Sequence, residues 1–348
     1  MDMTSLLRET KERDASDLHI IAGVAPGFRI NGELAPMDET KLTPEMTRSL
    51  VYQLLTEEQK KTFEEKGYLD FSFSFSGVGR FRVNAHLQRG SVAAACRLLP
   101  ISPPSFSELG LPELILDLAL KPKGLVLVTG PTGSGKSTTL AAMIDHINEN
   151  RSIHIITIED PIEYLHPHKK AMVEQIELGA DTPSFALALK YAMRQDPDVI
   201  LIGEMRDLET IATAITAAET GHLVLSTLHT RDAPQTVNRA IDVFPAHQQT
   251  QIRVQLASSL QAIIAQTLLP RKDGKGRVAA VEILINTTAV ANVIRSGKAH
   301  QLHTYMQTGA QYGMKIMDDS LKELMQEDIV FPEEALGRIN GMKSFRSG

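Results

Sequence analysis

Residues 125–138 read LVLVTGPTGSGKST, an apolar run that passes into a glycine-rich turn. A strand followed by such a turn and a helix is typical of a phosphate-binding loop, because the glycines let backbone N–H groups point at phosphate oxygens. The helix predicted from Ser137 adds the positive end of its dipole. The nucleotide-binding residues predicted from this stretch are Gly130, Pro131, Thr132, Gly133, Ser134, Gly135, Lys136, Ser137 and Thr138.

The chemistry of the loop also predicts its ligands. Lys136 can reach the β- and γ-phosphates of a nucleoside triphosphate, and the Ser137 hydroxyl can coordinate Mg²⁺. We therefore expect ATP and Mg²⁺ as cofactors. The alternative, a glycine turn that binds nothing, is disfavoured by the strand before it and the helix after it.

Outward from the loop, apolar strands alternate with helices. The apolar runs are nearly continuous, which is typical of parallel strands covered on both faces. This alternation predicts a doubly wound α/β domain. The predicted strands span residues 126–129, 154–158, 199–202 and 223–227, and the predicted helices span 137–148, 184–195, 207–219 and 248–269.

The N-terminal third mixes short strands with helices, which indicates a smaller α+β domain. The predicted strands there span 17–21, 27–30, 68–75, 80–87 and 92–99, and the helices span 43–55 and 57–66. We divide the chain into an N-terminal domain (1–99), a linker (100–120) that begins with a proline-rich connector, an α/β core (121–285) and a helical C-terminal region (286–348).

The overall composition excludes several classes of protein. The 348-residue chain has a net charge of −6 and no long basic run, which weighs against nucleic acid as a partner. Its single cysteine, Cys96, lies in an apolar run and is predicted to be a core residue in a reducing compartment. No apolar stretch reaches the ~20 residues of a membrane span, and residues 1–11 contain no signal-peptide core. We expect a cytoplasmic protein without direct membrane insertion.

Polar residues follow the predicted strands of the core. Because the carboxyl ends of parallel strands meet at one edge, these side chains are expected near the phosphate loop. Glu159 and Asp160 are predicted to line the nucleotide site, and Glu163 to be a second catalytic carboxylate. Glu204 follows an apolar strand and a glycine, and is predicted to be the catalytic base and a water-mediated Mg²⁺ ligand. The alternative is that these carboxylates cap turns and begin helices.

Two histidines bracket the strand at 223–227. His229, at its carboxyl end, is predicted to be catalytic and to sense phosphate. His222, which precedes the strand, is predicted to contact the nucleotide. A purely structural role is the alternative for each histidine.

Together these segments resemble the secretion-ATPase superfamily, and most closely the PilT-type retraction ATPases of type IV pili. The matching segments are a Walker A loop at 130–137, an Asp box at 157–163, an atypical Walker B motif at 198–204 and a His box at 220–230, with further similarity at 16–19 and 79–84. The resemblance covers nearly the whole chain. It implies a RecA-like domain preceded by a PAS-like domain, assembled as a homohexameric ring.

The resemblance also implies that ATP binds in an interdomain cleft completed by arginines of the N-terminal domain. Arg80, Arg82, Asn84 and His86 share one face of a predicted strand, and we favour Arg82 and Arg97 as the phosphate-facing arginines. A solvated polar face is the alternative. Three further candidates could instead form interface ion pairs: Arg194, Arg206 and Arg239.

One feature separates the subfamilies. Pilus-assembly and type II secretion ATPases usually carry a four-cysteine zinc insertion, which a chain with one cysteine cannot form. Residues 289–298, AVANVIRSGK, resemble the AIRNLIRE motif of the retraction family and keep Asn292, Ile294 and Arg295. They depart from it where Ala291 replaces the first Arg, Val293 replaces Leu and Ser296 replaces Glu. An ordinary packing helix is the alternative for this segment.

The resemblance therefore implies a motor for pilus retraction and twitching motility that acts on an inner-membrane platform protein from the cytoplasmic side. A pilus-extension or type II secretion ATPase is the main alternative. A nucleic-acid translocase and a nucleotide-sensing scaffold are further alternatives. The acidic net charge disfavours the nucleic-acid translocase. The joint presence of Lys136, Glu163 and Glu204 disfavours the nucleotide-sensing scaffold.

Overall fold

The computed structural model describes residues 2–30, 32–37, 40–100 and 102–346. The chain forms two compact units. The first comprises Met1–Ser102 and Glu163–Leu165, and the second comprises Pro103–Ile162 and His166–Gly348. The boundary near residue 102 falls within the proline-rich connector.

The first unit is an antiparallel six-stranded sheet with helices, in the strand order β3-β2-β1-β6-β5-β4. Leu18, Phe28, Phe81 and Val83 point to one side of this sheet and form its buried core, because successive side chains of a strand face opposite sides. The predicted α+β class of this part is confirmed. Its elements are α1 (Met3–Glu12), β1 (Asp17–Ile20), β2 (Gly27–Ile30), β3 (Glu33–Pro36), α2 (Pro44–Tyr52), α3 (Glu57–Lys66), β4 (Tyr68–Phe75), β5 (Gly79–Gln88) and β6 (Ser91–Leu99).

Cys96 lies on β6 in this core and is fully buried. Burial raises the pKa of its thiol to about 12, because the charged thiolate is poorly solvated there. The thiol is therefore protonated and unreactive at neutral pH. The predicted role of Cys96 as a core residue is confirmed.

The second unit is built on a seven-stranded sheet with the order β13-β12-β7-β11-β10-β8-β9. All its neighbouring strands are parallel except β13, which pairs antiparallel with β12 at one edge. The predicted doubly wound α/β class is confirmed. The elements up to β11 are α4 (Phe106–Leu109), α5 (Leu114–Ala119), β7 (Gly124–Thr129), α6 (Lys136–Asn150), β8 (His154–Glu159), β9 (Met172–Glu177), α7 (Phe185–Ala192), β10 (Val199–Ile202), α8 (Leu208–Glu219) and β11 (Leu223–Leu228).

The rest of the second unit joins the sheet edge to a set of helices. Val281 N donates to Ser320 Oγ over 3.0 Å, and this bond ties the edge strand β13 to helix α13. The elements are α9 (Ala233–Asp242), α10 (Ala246–Ser259), β12 (Leu260–Pro270), β13 (Arg277–Ile285), α11 (Thr288–Arg295), α12 (Leu302–Thr308), α13 (Met317–Gln326) and α14 (Pro332–Arg346), with short 3₁₀ turns at Ala299–Gln301 and Ala310–Tyr312. No helix in the described ranges is long and apolar enough to cross a membrane.

One expectation about this unit differs from the structure. The long helix predicted at 248–269 is wrong, because α10 ends at Ser259 and the chain continues as strand β12 beside β7. A mostly apolar run fits a buried strand as well as a buried helix, so periodicity could not separate the two. The bounds of the predicted linker stay a prediction; Ile115 and Leu118 of α5, which lie within it, are buried in the core of the second unit.

A buried asparagine offers a test of how this unit is held together. Asn148 on α6 is fully buried; its amide donates to Pro167 O over 2.7 Å and accepts from Lys169 N over 3.1 Å. Asn148→Ala removes both part-buried hydrogen bonds, so we expect it to lower the free energy of unfolding by about 2 kcal/mol. Asn150→Ala is the matched control, because Asn150 bonds His146 O at an exposed position. Equal losses in chemical denaturation of the two variants would contradict this prediction.

Candidate nucleotide site

The phosphate loop lies between the end of β7 and the start of α6. Gly130 has a φ of +146°, and a Cβ there would lie 2.3 Å from Gln266 O, so only glycine fits. Gly133 and Gly135 adopt left-handed φ values of +78° and +87°. Within the described part of the chain, the N–H groups of Thr132, Gly133 and Gly135 donate no backbone hydrogen bond. These free donors fit the requirements of a bound phosphate.

The first turn of α6 presents the other groups of the loop. Lys136 is mostly buried, and its Nζ donates to Gly130 O and Pro131 O, each over 3.0 Å. Ser137 is exposed, so its hydroxyl is accessible to a metal ion or a phosphate. The start of this 15-residue helix adds a favourable dipole for an anion.

The register of the sheet brings the strand-end residues to the edge that carries this loop. Leu228 pairs with Thr129, directly before Gly130, and Ile202 pairs with both Ser226 and Ile158. The predicted convergence of the β8, β10 and β11 carboxyl ends therefore exists within the second unit.

Glu204 and His229 contact each other at this edge. His229 Nε2 lies 3.2 Å from Glu204 Oε2, and Glu204 Oε1 forms an ion pair with Arg206. The Glu204 side chain is 12% exposed, whereas those of Arg206 and His229 are 69% and 48% exposed. Glu204 is thus a nearly buried carboxylate with two basic partners.

Glu159 has a structural environment at the end of β8. Its Oε1 accepts from Thr157 Oγ1 over 2.7 Å and from Gln175 Nε2 over 3.2 Å. Asp160 follows Glu159 directly. The backbone of Gly203 packs against the end of β8, where Gly203 N donates to Ile158 O over 2.8 Å. Glu163 is exposed and groups with the first unit, so its catalytic role stays a prediction.

The structure does not bring His222 to the phosphate loop of its own chain. His222 O accepts from Gly124 N over 3.0 Å, at the start of β7, whereas the loop follows the end of that strand. The Nδ1 atom of His222 lies 2.9 Å from Ala217 O, which is in the C-terminal part of α8. The nucleotide contact predicted for His222 stays a prediction, and the bond to helix α8 is the contact that the structure shows.

The candidate arginines Arg82 and Arg97 are exposed and lie opposite each other on β5 and β6. Arg97 Nε donates to Asp17 Oδ1 over 2.9 Å. Burial alone would raise the pKa of Asp17, but hydrogen bonds from Arg97 and Ser16 outweigh it and hold that pKa below its usual range. Arg97 is therefore oriented by a buried carboxylate, while its role toward phosphate stays a prediction. Of the other candidates, Arg206 binds Glu204, and two are exposed: Arg194 and Arg239.

Gln266 and Arg277 are neighbours of the loop that sequence reasoning missed. Gln266 Nε2 donates to Ser134 O over 2.6 Å, and Arg277 Nη1 donates to Gly133 O over 3.3 Å. A buried glutamine inside the apolar strand β12 is the signal that could have identified the first. Among the described residues, no group of three or more His, Cys, Asp or Glu side chains could hold a metal ion.

His166, between β8 and β9, provides a pH-dependent test of this region. Burial lowers the pKa of His166 from 6.5 to about 4, so the folded state binds this proton more weakly than the unfolded state. The buried His166 therefore does not lower the stability of the folded state above pH 6.5. As the pH falls from 6.5 toward 4, its protonation in the unfolded state makes the folded state progressively less stable. We expect the wild type to lose about 2 kcal/mol more than His166→Gln between pH 7 and pH 5, measured by chemical denaturation. The same substitution at exposed His247 is the control, and a wild-type pH slope in His166→Gln would contradict the prediction.

A phosphate loop after a central parallel strand, together with a glutamate at a neighbouring strand end, defines the class of P-loop nucleoside triphosphatases. The family model described as "Type II/IV secretion system protein" matches residues 2–327. The chain belongs to this family and is one of its ATPases.

Individual relatives match over nearly their full length. The chain is 48% identical to the "Type IV pilus retractation ATPase PilT" of Pseudomonas aeruginosa over 96% of this chain and 97% of that protein. It is 47% identical to a "Twitching motility protein" of Neisseria gonorrhoeae, over 98% and 91% of the two chains. A crystal structure of the pilus retraction motor PilT with bound ADP matches with a TM-score of 0.91 and 50% identity, over 97% of this chain and 96% of that one.

Proposed function

We propose that this chain is a hexameric ATP-hydrolysing motor that powers the retraction of type IV pili and thereby twitching motility. The observation that carries the hydrolytic part is the contact of Glu204 with His229 at the strand edge that bears the phosphate loop. The direction of the motor is inferred from relatives of similar length that are named for pilus retraction and twitching.

Each group of the site has a distinct role in this proposal. The free N–H groups of the loop and Lys136 bind the phosphates, and bound Mg²⁺ would neutralise phosphate charge between the Ser137 hydroxyl and the nucleotide. Glu204 orients and deprotonates the attacking water and holds the hydration shell of the metal. His229 contacts the Glu204 carboxylate and responds to the presence of phosphate.

The remaining predicted residues complete the site. Glu163 is the second carboxylate, and Glu159 and Asp160 shape the site at the end of β8. Arg82 and Arg97 neutralise phosphate charge during transfer, as guanidinium groups do in other phosphoryl-transfer sites.

The proposed partners are further copies of this chain and a platform protein of the inner membrane, with the motor in the cytoplasm at the pilus base. Most of the retraction-type segment lies in helix α11, whose Ala291 and Val293 are buried. The kept Asn292 and Arg295 are exposed, and Arg295 Nη1 donates to Asn292 Oδ1 over 2.6 Å. The departures at 291 and 293 thus lie on the packed face, whereas the third, Ser296, is exposed.

Deletion of the gene in its host tests the direction of the motor. We expect cells that keep surface pili, accumulate them and lose twitching, and restoration by the wild-type gene. Loss of surface pili would instead indicate the extension or secretion ATPase. The mass of the purified protein with and without ATP tests assembly, and a monomer under both conditions would contradict the motor mechanism.

A further inference from the structure

We propose that Gln266 is a positioning residue that sets the shape of the phosphate loop before nucleotide binds. This inference rests on the proposed nucleotide-binding function and adds a residue to it. Gln266 lies on β12, one residue beyond Ala265, which pairs with Thr129 at the end of β7. Its side chain is 2% exposed and therefore excluded from solvent.

The Gln266 amide is held at both ends. Its Nε2 donates to Ser134 O over 2.6 Å, and its Oε1 accepts from Thr139 Oγ1 over 3.0 Å. Since a carbonyl oxygen can only accept, the amide nitrogen must face Ser134 and the amide oxygen must face Thr139. The side chain thus links strand β12, the loop and helix α6 in one defined orientation.

The contact with Ser134 controls a phosphate-binding group through the peptide plane. In a trans peptide, the carbonyl of one residue and the N–H of the next point in opposite directions. Holding Ser134 O outward therefore directs the Gly135 N–H inward, where phosphate oxygens are bound. Gly135 has a left-handed φ of +87° and no Cβ, so sterics alone do not fix the peptide plane between Ser134 and Gly135. A contact from outside the loop is needed to fix that plane.

Loss of this contact is expected to weaken nucleotide binding more than folding. A loop that must be ordered on binding pays part of the binding free energy for that ordering, whereas a loop fixed in advance does not. Arg277 Nη1 supports the neighbouring peptide through Gly133 O at 3.3 Å. This arginine is exposed, so Gln266 supplies the buried and more restrictive of the two contacts.

The test measures the Kd of Mg·ADP by calorimetry on the full-length protein, together with its melting temperature. Gln266→Met keeps the size of the side chain and removes both hydrogen bonds, and we expect the Kd to rise about tenfold, equivalent to about 1.4 kcal/mol. Gln266→Glu keeps an acceptor for Thr139 but opposes Ser134 O and the phosphates with negative charge, so its Kd is expected to rise further. The matched control is Gln261→Met, because Gln261 packs beside Gly124 at the other end of β12. Its Kd is expected to equal that of the wild type.

A second pair of variants keeps the test decisive if Gln266→Met does not fold. Thr139→Val removes the hydroxyl that orients the amide and is expected to raise the Kd about threefold, while Thr139→Ser restores wild-type affinity. An unchanged Kd in folded Gln266→Met, or a lowered melting temperature without a change in Kd, would overturn the inference. Failure of the wild type itself to bind Mg·ADP would instead refute the proposed function.

Discussion

Glu204→Gln is expected to lower kcat for ATP hydrolysis about 100- to 10,000-fold, the usual contribution of a general base. Glutamine keeps the size of the side chain and an oxygen that can accept from His229 or Arg206, so the geometry at the ends of β10 and β11 should persist. What disappears is the carboxylate that accepts a proton from the attacking water. Nucleotide affinity should change little, because the loop contacts are intact.

Phosphate release and ATP binding measured on the same preparation test this expectation. Glu209→Gln is the matched control, since Glu209 is exposed in the first turn of α8 and five residues away along the chain. Glu209→Gln should hydrolyse ATP at the wild-type rate. Turnover by Glu204→Gln within a factor of three of wild type would show that another group acts as the base.

The second large effect is expected on binding. Lys136→Met should raise the Kd for Mg·ATP about 100-fold, because a charge-assisted contact to phosphate contributes up to about 3 kcal/mol. Lys136 also stabilises the loop by donating to Gly130 O and Pro131 O. Methionine fills similar space but can neither donate to those carbonyls nor neutralise phosphate charge.

Lys190→Met on the surface of α7 is the control for the removal of one positive charge. Calorimetric titration with Mg·ATP should give a wild-type Kd for this control. If Lys136→Met binds as tightly as the control, the nucleotide does not occupy the loop as proposed. A lowered melting temperature with unchanged affinity would assign Lys136 to folding alone.

The features that the sequence predicted well are those encoded by short patterns. Glycines permit the positive φ angles that the loop adopts. Glu204 and His229 follow the ends of apolar strands, so the parallel-sheet rule brings them together. By the same rule His222, which precedes its strand, lies at the opposite edge of the sheet, and its contact with nucleotide stays a prediction.

The features that the sequence could not predict depend on pairing between distant segments. Residues 260–269 are mostly apolar and lack a clear period, so only their place beside β7 makes them a strand. Gln266 is 132 residues from Ser134 along the chain, and no local pattern signals that the two are bonded. The partnership of Arg97 with Asp17 likewise follows from strand register rather than from either residue's neighbours.

The burial of Cys96 makes the natural chain a ready background for site-specific thiol labelling. The chain has no other cysteine, and this thiol is both shielded from solvent and kept protonated by its surroundings. Maleimide dyes or spin labels would therefore react only with cysteines introduced on purpose. A donor dye in the first unit and an acceptor in the second would report distance changes during the ATP cycle without prior removal of a native residue.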